Sequence, residues 1–86
     1  GWAFCAHTPE RDLFLLYFEK DCPQKVEIRR LRKNSTYIVK FFDPREGKWF
    51  SDPSIEKVTT TETGTVFIER IQPELDWGMS LVLEDN

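Results

Sequence analysis

Cys5 and His7 stand two residues apart, the place where a nucleophile and a base come closest in this chain. Nucleophilic catalysis needs a base within hydrogen-bond reach and a third group that orients it. Alternate residues of a strand share a face, yet no such third group accompanies this pair. They read as ordinary strand-end residues. With 15 acidic residues some carboxylate pair is inevitable, and nothing separates Glu62, Glu69 or Glu74 from chance. A glycosidase pair also needs a cleft with defined carboxyl spacing. One histidine and two cysteines without a CxxC make no zinc set. Asp43, Glu46 and Asp52 lack calcium-loop spacing, and four scattered glycines make no phosphate loop. The chain reads as a non-enzyme without cofactor or metal.

The aromatic residues are the remaining chemistry. Residues 41–50, Phe-Phe-Asp-Pro-Arg-Glu-Gly-Lys-Trp-Phe, place two aromatic pairs around a turn. Pro44 presets φ for the first turn position, Asp43 can accept backbone hydrogen bonds, and Gly47 supplies a left-handed residue. With Asp43 opposite Lys48, Phe42 faces Trp49 and Phe41 faces Phe50. Neighbouring residues point to opposite sides of a sheet, so the pairs are separated. Tyr37, Val39 and Phe41 share an apolar face, whereas Lys40 interrupts Ile38 and Phe42. Phe41–Phe50 is therefore assigned to the core and Phe42–Trp49 to the outside. An outer Trp49, or Trp2 near the start, has the amphipathic ring that stacks on sugars. Packing on a partner domain and cover by the chain's own strands are the other two readings.

Positioning these groups falls to short strands. Period-two alternation dominates, and no helical period lasts three turns. Strands are predicted over 2–7, 13–19, 25–29, 36–43, 48–51, 65–70 and 77–84, with one irregular edge strand within 55–63. Turns every eight to twelve residues indicate a sandwich or barrel, and antiparallel all-β with seven or eight short strands is the predicted fold. Trp77 is assigned to its core. The 86 residues form one domain. Aromatics at 14% and hydrophobics at 40% exclude disorder. The net charge of −3 argues against nucleic acid, and Arg29-Arg30-Leu31-Arg32-Lys33 reads as a solvated strand end and turn. The longest apolar run, 13–18, is too short for a membrane span. Neither nucleic acid nor membrane is an expected partner.

Register also bears on the cysteines. Cys5 is predicted opposite Leu15 or Leu16, with Cys22 a further six or seven residues along, roughly 20 Å at strand rise. A disulfide needs Cα atoms within about 7 Å. Two free thiols favour a reducing, cytoplasmic setting over secretion. The 13–18 strand is apolar on both faces, with Leu13, Leu15 and Tyr17 on one and Phe14, Leu16 and Phe18 on the other. A surplus of this kind marks an interface.

The stretch from Leu13 through the Phe42-Asp43-Pro44-Arg45 and Gly47 hairpin, with the closing Asp76-Trp77-Gly78-Met79-Ser80-Leu81-Val82-Leu83, resembles the small C-terminal β-sandwich of bacterial glycoside-hydrolase-like proteins. Those domains follow an (α/β)8 barrel, and some carry a collagen-binding label. The resemblance covers nearly the whole chain and departs from the family in residues 52–64. It implies that residues 1–86 are a non-catalytic accessory domain of a longer protein, with the barrel as partner and a polysaccharide as the alternative ligand. The start without Met fits that expectation. The contact candidates are Phe42 and Trp49 with Phe14, Leu16 and Phe18.

Overall fold

A computed structural model describes residues 3–69 and 74–84. Among them are eight strands: β1 (Ala3–His7), β2 (Leu13–Phe18), β3 (Lys25–Ile28), β4 (Thr36–Asp43), β5 (Lys48–Phe50), β6 (Lys57–Thr59), β7 (Val66–Glu69) and β8 (Trp77–Leu83). A single 3-10 turn, Pro53–Ile55, is capped by the Asp52 carboxylate, which accepts from the Ser54 N–H. Trp2 and the Gln72-Pro73 part of the last predicted turn lie outside the described residues.

The strands form two antiparallel sheets. The larger runs β1-β2-β8-β4-β5, with β6 also bordering β4, and the smaller is β3-β7. β8, the last strand, lies in the middle, between β2 and β4. The inner face of the large sheet carries Phe14, Leu16 and Phe18 from β2, Met79 and Leu81 from β8, and Tyr37, Val39 and Phe41 from β4. Ile28, Val66 and Ile68 from the small sheet join the same cluster. Each fully buried side chain of this kind contributes about 1.5–3 kcal/mol. The buried Tyr37 hydroxyl is satisfied: it donates to the Arg11 carbonyl at 2.6 Å and accepts from the Arg32 N–H at 3.0 Å.

The turn chemistry places the layers. At Gly47, φ is +66°, and its N–H donates to the Asp43 carbonyl at 2.7 Å. Gly64 is more constrained, because φ is +74° and a Cβ there would lie 2.2 Å from the Leu31 carbonyl oxygen. The Leu31 N–H donates to the Gly64 carbonyl at 3.0 Å, tying the entry to β7 to the end of β3. Only glycine permits both the conformation and the approach.

One sequence expectation is corrected by this layering. Phe14, Leu16 and Phe18 are not an outward contact surface; they are buried at 1%, 7% and 4% exposure. Leu13, Leu15 and Tyr17 form the outer side of β2 instead. The strand is apolar on both sides, so alternation alone could not choose between them; the crossing of β3-β7 does. Phe50 is a second, smaller correction. It points inward opposite Phe41 but keeps 36% exposure, because β5 is a three-residue edge strand. Phe50 closes the rim by stacking on Phe41, with ring centroids 5.8 Å apart, and meeting Trp77 edge-on at 5.4 Å.

Candidate functional site

The outer face of the large sheet is built in rows, because directly paired residues project to the same side. One row runs Phe4–Tyr17–Gly78–Phe42–Trp49 from β1 to β5. The next runs Ala6–Leu15–Ser80–Lys40. Phe42 and Trp49 are paired as predicted, with rings 5.1 Å apart and tilted by 56°. Trp49 is 52% exposed, Phe4 56% and Leu15 45%. Phe42 is half-buried because it lies over Gly78, whose hypothetical Cβ would sit 3.1 Å from the Phe42 Cβ. The glycine leaves room for the ring, which covers the backbone a side chain would otherwise shield. Phe42, Trp49 and Gly78, with Leu15 and Tyr17, line a shallow apolar depression of about 210 Å³.

A cleft of about 490 Å³ adjoins it and shares Tyr17; the charged residues Lys20, Arg45, Glu74 and Asp76 border it, with Pro44. Asp76 is its hub. Its carboxylate accepts from the Tyr17 hydroxyl at 3.1 Å and the Lys20 N–H at 2.6 Å, while its carbonyl accepts from Arg45 Nη1 at 2.8 Å. Arg45 also pairs with Asp43 at 3.2 Å and lies 4.7 Å over the Trp77 ring. Desolvation, reinforced by the Asp76 carboxylate, holds the Tyr17 phenol above its ordinary pKa. These bonds fasten the β4-β5 turn and the start of β8 to β2. The sequence reading placed Asp43 and Arg45 in one turn and Asp76 in another but did not foresee their contacts, because Tyr17 lies 59 residues from Asp76 along the chain and Arg45 lies 31.

The other chemical groups do not assemble. Cys5 and His7 share the inner side of β1, but His7 Nδ1 donates to the adjacent Thr8 carbonyl at 2.7 Å and the ring packs beside Phe14 at 5.0 Å. Neither cysteine is in a disulfide; Cys5 is exposed and Cys22 buried. In the basic run, Arg29 pairs with Glu27, Leu31 is buried, and Arg32 Nε donates to the Glu10 carbonyl at 2.8 Å. No cluster of metal-ligating side chains occurs among the described residues. Comparison of the chain with protein families, with curated proteins and with solved structures finds no match.

Proposed function

We propose that this chain is a non-catalytic accessory domain that packs its outer sheet face on a neighbouring domain. Following the resemblance of its sequence, that neighbour is the catalytic barrel of a glycoside-hydrolase-like protein. The observation that carries the reading is the outer face itself. Phe4, Leu15 and Trp49 are each about half exposed; Tyr17, Gly78 and Phe42 link Phe4 to Trp49 in a row without a charge, and Leu15 stands beside Tyr17 in the next row. A monomeric soluble protein rarely exposes a contiguous apolar surface of this kind unless something binds there. The test is to express the barrel with and without this domain. A lower melting temperature or solubility on its removal is expected, with the same loss when Leu15 and Trp49 are both changed to Glu. A barrel indifferent to both changes would sink the reading.

A second reading rests on the tilted Phe42–Trp49 pair beside a cleft bordered by charged residues. An exposed aromatic platform with polar groups at its end is suited to the apolar face and hydroxyls of a sugar. Saturable polysaccharide binding that disappears in Trp49→Ala is the expected result. A glycan panel without binding would count against it.

A further inference from the structure

The edges of the sheets are managed unequally. β5 and β6 are three residues long and begin with Lys48 and Lys57. β3 carries Lys25 and Glu27, and β7 ends in Glu69. Short strands and charges of this kind keep sheet edges from pairing with other chains. β1, Ala-Phe-Cys-Ala-His, has neither device. It has five exposed residues without Lys, Arg, Asp, Glu or Pro, and five successive pairs with β2 run without a bulge.

The hydrogen-bond alternation shows which of its backbone groups face outward. The Thr8 N–H donates to the Leu13 carbonyl at 3.1 Å, which makes Thr8–Leu13 a bonded pair in the β1-β2 register. Bonded and non-bonded pairs alternate along an antiparallel ladder. Phe4 and Ala6 therefore turn their N–H and C=O toward β2, and Ala3, Cys5 and His7 turn theirs away. On the far side of β2 the parity agrees, since the Leu83 N–H donates to the Asp12 carbonyl at 2.8 Å.

We propose that the β1 edge is a homodimer interface, in which β1 of a second copy pairs antiparallel about a two-fold axis at Cys5. This register sets Ala3 opposite His7 of the second copy, Phe4 opposite its Ala6, and Cys5 opposite its Cys5. Every outward N–H and C=O of Ala3, Cys5 and His7 is then paired. Each large side chain also meets a small one, Phe4 against Ala6 and His7 against Ala3. A one-residue shift would set outward groups against residues whose own groups face β2. The strand bears no formal charge, so two copies of net charge −3 meet there without like charges in the ladder. The contact is made by the backbone edge of β1 and meets the outer face only at Phe4 and Ala6, and its argument does not rest on the docking reading.

A five-residue strand makes a small interface, in the range of weak and transient association, so the dimer is concentration-dependent. In sedimentation velocity, the mass of the wild-type chain rises from one copy toward twofold as concentration increases. Cys5→Pro removes an outward N–H without touching a bond to β2, and this variant stays at one copy. Ala6→Lys places a charge opposite Phe4 and weakens the dimer at least tenfold. A short bismaleimide joins two wild-type chains through Cys5 and fails with Cys5→Ser, since Cys22 is buried; this arm needs no edge variant to fold. A wild-type chain that remains at one copy throughout, or a Cys5→Pro variant folded by circular dichroism that dimerises as wild type does, overturns the proposal.

Discussion

Two adjacent rows of the large sheet differ by one residue in position and by almost everything in environment. The inner row, Cys5–Leu16–Met79–Phe41–Phe50, and the outer row, Phe4–Tyr17–Gly78–Phe42–Trp49, cross the same strands in the same order. Both are rich in large apolar groups and both end exposed at β1 and β5. The inner row is sealed at its centre, with Leu16, Met79 and Phe41 at 7%, 2% and 3% exposure, because the small sheet closes over it. The outer row has a glycine at its centre and one of its own aromatics lying over it. Hydrophobicity thus makes a residue able to enter a core; a second layer decides whether it does.

The comparison breaks most directly at the centre of the inner face. Phe14→Ala is expected to cost about 3–5 kcal/mol through lost transfer and a cavity. Total stability of order 0.05–0.15 kcal/mol per residue leaves little after such a loss. A urea titration with unchanged slope is the measurement, and a midpoint like that of the wild type would contradict the assignment of this face. Gly78→Ala probes the outer row. Its new Cβ would crowd the Phe42 Cβ and ring, and overpacking of this sort costs about 1–3 kcal/mol. Combining it with Phe42→Ala should recover part of the loss, so a double-mutant cycle that proves additive would reject the contact.

Tyr17→Phe is expected to have a smaller effect, about 1 kcal/mol near neutral pH for a half-buried hydroxyl bonded to a carboxylate. Its pH dependence has a definite sign. The folded state raises the Tyr17 pKa, by desolvation first and by the Asp76 bond and charge next. The stabilisation is therefore fully present below the ordinary tyrosine value of about 10 and disappears as pH rises through the higher folded value. Chemical denaturation across that range should show wild type and Tyr17→Phe converging. Trp49→Ala has the smallest expected effect on the isolated chain, within about 0.5 kcal/mol, despite the size of the ring. A loss as large as that of Phe14→Ala would show that the outer row carries folding stability after all.

Much of the hairpin was legible beforehand because its causes are local. Asp43, Pro44 and Gly47 set the loop, the loop sets Asp43 opposite Lys48, and pleating then separates Phe41–Phe50 from Phe42–Trp49. The buried side of β4 was legible as well, since Lys40 marks the other side as wet. β2 carries no such mark: its six residues are all apolar, and its inner face was assigned the wrong way round. The Asp76 hub was also invisible, since Tyr17 and Arg45 reach it from distant parts of the chain.

The sequence by itself determined the strand content, the turn positions, the hairpin register and the existence of an apolar surplus, all of which follow from neighbour-to-neighbour geometry and period-two alternation. Only the tertiary structure decided which side of β2 is core, why Phe50 stops at the rim, and which backbone groups of β1 turn away from β2. These depend on where β3-β7 crosses the large sheet and on β8 taking its centre. Local preference is equal for either face, and the contacts that break the tie are long-range.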